Sequence, residues 1–278
     1  MMILIADSGS TKTDWMLVEQ ESVVKTQGIT PIHQSSDTIR RILEQELKPQ
    51  LAVANATLTA VFFYGSGCTP AKVPMMEALL KETLDAERVE VHSDLMGAAR
   101  ALCGRDEGIA CILGTGANSC LYDGERIIQN TPALGYILGD EGSGAVLGRM
   151  FINALFKNPQ YAALRDAFLE EQQLTMSDII QRVYREPMAN RFLASTSLFI
   201  GKHIANPLLH ALVTDNFRQF FRCNIRPYQR PDLPVHFVGS MATHYSSQLS
   251  EAAQAEGFTI GRVQKSPMKG LEAYHRGL

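Results

Sequence analysis

A chain of 278 residues, 45% hydrophobic and 20% charged with a formal net charge of -3, has the composition of a globular protein with a sizeable core, in one large domain or two modest ones. That balance offers no broad cationic field, so nucleic acids and anionic membrane surfaces are not expected partners, while small phosphorylated ligands remain open. Five cysteines, Cys68, Cys103, Cys111, Cys120 and Cys223, include no C-x-x-C pair and read as reduced thiols rather than a disulfide framework or a zinc site. The opening MMILIAD is too short for a signal-peptide core, and no run reaches the ~18 apolar residues that span a bilayer. The expected location is the cytoplasm.

The first apolar run breaks at Asp7-Ser8-Gly9-Ser10-Thr11-Lys12-Thr13, so residues 2–6 and 14–18 read as strands around a turn, with a third strand at 23–28. Gly9 permits a conformation closed to other residues, and the hydroxyls of Ser8, Ser10, Thr11 and Thr13 sit beside exposed N–H groups. Such a turn can form an anion-binding nest or remain a solvated hairpin. It does not fit the P-loop pattern. Asp7 can hold a hydrated magnesium ion or make an Asx-turn. Ile39, Ile42, Leu43 and Leu47 fall at helical spacing, predicting a helix from Asp37 with Ser36 or Asp37 as N-cap and an interruption at Pro49. A buried strand at 57–65, a helix at 72–84, a strand at 88–93 and a helix at 94–102 complete the order βββαβαβα. Asp94, between strand and helix, either faces a ligand or caps the helix with Ser93.

From Gly108 a similar order begins again. Two strands flank Gly114-Thr115-Gly116-Ala117-Asn118, and Asp123-Gly124 signals a hairpin into a third. The run LGYILGDEGSGAVLGRM (134–150) carries five glycines and the acids Asp140 and Glu141, which suit close backbone approach, a ligand at a helix N-terminus, or a flexible loop. A helix-rich stretch over 141–224 precedes a strand at 234–240, a helix over 241–257, a strand at 258–263 and a terminal helix at 269–277. Gly239-Ser240 offers backbone on which a planar ring can lie, or an ordinary strand-to-helix turn. Shifting the chain by 107 positions lays Gly9 on Gly116, a repeat of elements rather than of letters. Two such halves can face each other across a cleft with a small-residue turn on each side. The histidines show no metal-binding spacing.

The set DSGSTKTDW, HSDLMGAAR, LGTGANS, LGDEGSG and HFVGSMA, in that order and over nearly the whole chain, resembles the BadF/BadG/BcrA/BcrD-type ATPase and N-acetylglucosamine kinase family of the actin-like ATPase and sugar kinase superfamily. The resemblance implies an α/β fold of two ribonuclease H-like βββαβα domains, at 1–105 and 106–278, with a helical insertion in the second and the terminal helix, about 267–278, packing back on the first. It implies ATP and Mg2+ as cofactors, an amino sugar as substrate and a homodimer. The turns at 7–13 and 114–118 then hold the ATP phosphates through Ser10, Thr11, Lys12, Gly114, Thr115 and Gly116, and Gly239 and Ser240 match the adenosine motif. Asp7 matches the magnesium-supporting acid, Asp94 the catalytic base, and Asp140 a sugar-binding acid, with Asn118, Gly135 and Tyr136 on the acceptor side. A low-pKa aspartate at a helix start is adequate for late proton transfer. Thr30 stands where family members commonly show an Asn that contacts the sugar, and Leu134-Gly135-Tyr136 where animal kinases have a Trp. An activator ATPase working on a partner protein and a kinase of N-acetylmuramic acid are the alternatives.

Overall fold

The computed structural model describes residues 2–20, 22–52 and 58–276. By internal contacts the chain forms one compact unit from Met1–Asp106, Gly124–Arg126 and Ser266–Leu278, and a second from Glu107–Asp123 and Ile127–Lys265.

In the first unit, β1 (Met2–Ser8), β2 (Lys12–Leu17), β3 (Ser22–Gln27), β4 (Leu58–Gly65) and β5 (Arg88–Ser93) form a sheet in the order β3-β2-β1-β4-β5. β1 pairs antiparallel with β2 and parallel with β4. Alternation sends Leu4, Ala6, Trp15, Leu17, Val61 and Phe63 to one core. Ile5, Met16, Phe62 and Tyr64 go to another. Both faces are covered, which is why these strands read as unbroken apolar runs. α1 (Ser36–Ile42), α2 (Lys48–Ala52) and α3 (Val73–Leu84) precede α4 (Asp94–Cys103). Pro49 does not end the helix at 36–52: a widened π turn at Leu43–Leu47 precedes it. Such a turn shifts the hydrogen-bond register where proline has no N–H to give.

The second unit repeats the plan. β6 (Gly108–Leu113), β7 (Ala117–Tyr122), β8 (Ile127–Gln129), β9 (Val235–Val238) and β10 (Ile260–Gln264) take the order β10-β9-β6-β7-β8, the first sheet's topology read from the other edge. Between β8 and β9 lie α5 (Gly135–Leu138), α6 (Gly144–Lys157), α7 (Ala162–Gln172), α8 (Met176–Tyr184), α9 (Ala189–Ser195), α10 (Ser197–Lys202) and α11 (Pro207–Phe220). Edge-to-face contacts join Phe151, Phe168 and Phe199 in their core. The helix expected over 241–257 is two, α12 (Ser240–His244) and α13 (Ser246–Glu256). The last helix, α14 (Met268–Arg276), packs in the first unit on α4, where Gly270 lies against the Ala101 carbonyl. Of the expected elements, Thr57 and Gly277 lie outside the described residues. Among the described residues no helix is long and apolar enough to cross a membrane.

Candidate active site

In both units the small-residue turn is a hairpin loop of three residues, Gly9–Thr11 after β1 and Gly114–Gly116 after β6. Equal loop lengths lay Gly9 on Gly114 rather than on Gly116. The first turn is fixed from below. Ser8 Oγ lies 2.6 Å from Thr13 Oγ1, donates to the Ile29 carbonyl at 2.9 Å and accepts from the Ile29 N–H. These two hydroxyls are therefore internal struts rather than part of an exposed nest, and Ser10, Thr11 and Lys12 are what the tip exposes. Gly9 is not left-handed and has room for a Cβ, contrary to the expectation. The glycine this turn requires is Gly28, at the end of β3, where a Cβ would meet the Gly9 carbonyl and the Ser10 backbone. Sequence reasoning missed Gly28; its signal was a glycine closing a strand that borders the turn.

Asp7 lies within electrostatic reach of two further carboxylates, Asp14 and Asp94. Asp7 lies opposite Asp14 across the β1–β2 ladder. Burial pushes the Asp7 carboxyl up to about 7, with the charges of Asp94 and Asp14 adding and Lys12 opposing. Asp94 opens α4, whose N-cap is Ser93, and accepts from the Leu95 N–H at 2.9 Å. Burial nevertheless raises its pKa, so the expected low-pKa helix-start aspartate is not what forms: desolvation outweighs the helix N–H groups. Among the described residues no three metal-binding side chains converge. The donor set still fits magnesium, which is commonly held by one or two carboxylates together with substrate phosphates. Three acids beside one lysine leave negative charge for such an ion to offset.

The first unit holds two further hydroxyls of note. Thr30 Oγ1 and Ser66 Oγ are both buried with no hydrogen-bond partner among the described residues. The Thr30 methyl packs on Gly67, whose φ of 77° is left-handed. Burial and then the Asp94 charge push the Cys68 thiol up to about 12, which keeps it in the thiol form at neutral pH. Ser66 was not singled out from sequence, although YGSG follows a buried strand at its carboxyl end, where ligands collect.

The second turn is held from the side. The first N–H groups of α6, Gly144 and Ala145, donate to the carbonyls of Gly114 at 2.8 Å and Thr115 at 3.1 Å. The helix N-terminus in the glycine run is therefore spent on the turn, and its glycines serve close approach: a Cβ on Gly148 would meet the Leu193 carbonyl. Asp140 has a left-handed backbone, φ 57°, and its carboxylate faces Gly116, where a Cβ would meet Oδ2 at 3.1 Å. Its pKa is raised to about 6 by burial, against the Ala117 N–H. Asn118 Oδ1 accepts from the Ser119 N–H and from Asn130. Gly239, φ 128°, lies against the Leu113 carbonyl and so packs beside this turn. Ser240, Thr243, His244 and Lys265 line a hollow of about 370 Å3 beside it. Tyr136 lines an apolar hollow of about 510 Å3 with Ile152, Phe156 and Ile180.

No protein-family model and no curated protein matches the chain. Among solved structures it is similar to a proposed N-acetylglucosamine kinase from Porphyromonas gingivalis, with 50% identity over 99% of each chain and a TM-score of 0.93. A proposed N-acetylglucosamine kinase from Chromobacterium violaceum is similar at 18% identity over 98% of each chain, TM-score 0.74. A ROK hexokinase from Thermus thermophilus is similar at 15% identity over 99% of this chain and 96% of its own, TM-score 0.57. The latter two likenesses are of fold. The architecture is the actin-like ATPase fold of two ribonuclease H-like units.

Proposed function

The chain belongs to the family of the Porphyromonas gingivalis protein, and we propose that it is an ATP-dependent kinase that converts an amino sugar, N-acetylglucosamine, to its 6-phosphate. Within that family we place it among the BadF/BadG/BcrA/BcrD-type ATPases and N-acetylglucosamine kinases, on the five motifs in register. The observation that carries the reading is Asp94, half-buried at the start of α4 within electrostatic reach of Asp7.

The roles divide between the units. In the first, Ser10, Thr11 and Lys12 hold ATP phosphates, and Asp94 orients the sugar hydroxyl and takes its proton. In the second, Gly114, Thr115 and Gly116 supply the other phosphate contacts, Gly239 and Ser240 the adenosine contacts, and Asp140 and Asn118 bind the sugar. Phosphoryl transfer has a loose transition state, so positioning and charge neutralisation do most of the work. The raised pKa of Asp94 suits a base that receives its proton as the new P–O bond forms. Asp7 would hold magnesium, which when bound offsets charge on the phosphates. Thr30 and Ser66 have hydroxyls free for a polyhydroxylated ligand; Gly135 and Tyr136 enter as acceptor contacts by resemblance alone. With ATP as donor and thiols in reduced form, the enzyme works in the cytoplasm, as a homodimer.

Thr30, in the place of the usual Asn, favours a related sugar such as N-acetylmuramic acid as second reading. An activator ATPase would need two cluster thiolates per subunit, and Cys223 is the one exposed cysteine. The test is ADP release over a panel of N-acetylglucosamine, N-acetylmuramic acid, glucosamine and glucose, with N-acetylglucosamine expected to give the highest kcat/KM.

A further inference from the structure

Asp14 has no part in the roles above, yet it occupies a costly position. The antiparallel register sets it directly opposite Asp7, and like charges facing each other across a ladder destabilise a sheet. The offset comes from Lys12, two residues earlier and so on the same face of the strand. Its Nζ donates to Asp14 Oδ2 at 2.5 Å. The two ends of this pair differ: the Asp14 side chain is 13% exposed, the Lys12 side chain 57%. A sunken carboxylate thus holds an ammonium that stays open to incoming groups. An ion pair whose ammonium end lies in water contributes little to stability, so the fold alone does not account for an acid at this position.

We propose that Asp14 is a positioning residue for phosphate binding: it fixes the Lys12 ammonium at the tip of the first turn through one N–H donor, leaving the other two for the terminal phosphates of ATP. This rests on the reading of that turn as a phosphate site. A lysine on a flexible four-carbon stem loses freedom when it binds a ligand. Anchoring it beforehand moves that loss from binding to folding.

The test is calorimetric binding of ATP and of ADP, with Mg2+ and without sugar, to wild type, Lys12→Met, Asp14→Asn, Asp14→Glu and the Lys12→Met/Asp14→Asn double variant, each checked by thermal unfolding. Asp14→Asn is expected to weaken ATP binding roughly tenfold, and ADP binding less. Asp14→Glu restores part of it. The double variant binds as Lys12→Met alone, and in turnover the loss falls on KM for ATP rather than on kcat. Where Asp14→Asn does not fold, Asp14→Ser serves in the same comparison. The proposal is overturned when Asp14→Asn binds ATP as wild type does. It is equally overturned when the Asp14 substitution costs the same factor with and without Lys12, which would make Asp14 a direct ligand, for example of the metal. A wild type that binds no ATP removes the phosphate reading itself, an outcome distinct from either.

Discussion

The two hairpin turns have the same length and the same place in the same topology, yet they are held by opposite means. The first rests on a floor of side-chain hydroxyls and on Gly28, and carries its charges within the hairpin, on Asp7, Lys12 and Asp14. The second is gripped by the N-terminus of α6 and faced by Asp140, both more than 20 residues further along the chain. A repeated fold conserves where a turn sits and leaves free how it is stiffened. The first turn consequently carries its own charges, and the second borrows its carboxylate from a distant segment.

The largest effect that separates the units is chemical. Asp94→Asn is expected to lower kcat by about 10³-fold with ATP binding kept, in the range of a lost general base. Asp140→Asn should act mainly on KM for the sugar. Equal losses of kcat in the two variants would erase the distinction.

Glycine substitutions come next. Gly28→Ala forces a methyl into the Gly9 carbonyl and should cost ~1–3 kcal/mol, as overpacking does, with loss of nucleotide binding. Gly9→Ala, with open space and no left-handed backbone, should stay within about 0.5 kcal/mol of wild type in denaturant unfolding. In the second unit Gly239→Ala meets both a left-handed backbone and the Leu113 carbonyl, and should unfold well before Gly9→Ala. A Gly9→Ala as unstable as Gly28→Ala would contradict the account of the first turn.

Two buried groups, one in each unit, should respond to pH with opposite sign. His275 is 1% exposed, hydrogen-bonded to Tyr64 Oη at 2.9 Å, and burial lowers its pKa to about 4. The unfolded chain binds its proton more tightly, so this contribution is present above about 6.5 and lost as pH falls towards 4, up to about 3 kcal/mol. Asp140 has a raised pKa, about 6. Its contribution is full below the ordinary carboxylate value and lost as pH rises through 6. Melting temperatures of His275→Gln and Asp140→Asn relative to wild type, taken from pH 4 to 8, should therefore diverge in opposite directions.

The smallest effect is at Thr30. Its hydroxyl is buried without a partner, so the isosteric Thr30→Val removes an unsatisfied group and should leave stability unchanged or slightly improved, while raising KM for the sugar. A large loss of stability with unchanged KM would remove Thr30 from the acceptor site.

Much of this plan was legible in the sequence because its signals are local. Strands 88–93 and 108–113, the two turns, and Ser93 followed by Asp94 follow from alternation and small-residue punctuation. What was not legible depends on partners remote in sequence. Gly28 matters through Gly9, the glycines at 142, 144 and 148 through Phe220, Ala194 and Leu193, and the raised pKa of Asp94 through burial that no local pattern encodes. Pro49 misled because a π turn can absorb a proline that an ideal helix cannot. Asp14 lay in plain view in TKTDW, but only the ladder register sets it opposite Asp7.

The most direct test of the central claim, that these turns and acids serve phosphoryl transfer to an amino sugar, is ADP release by wild type and Asp94→Asn in the presence of ATP, Mg2+ and N-acetylglucosamine. Wild type is expected to show sugar-dependent release, with the 6-phosphate as product, and Asp94→Asn to lose it while still binding ATP. Wild-type protein that binds ATP yet releases ADP no faster with any sugar of the panel would contradict it.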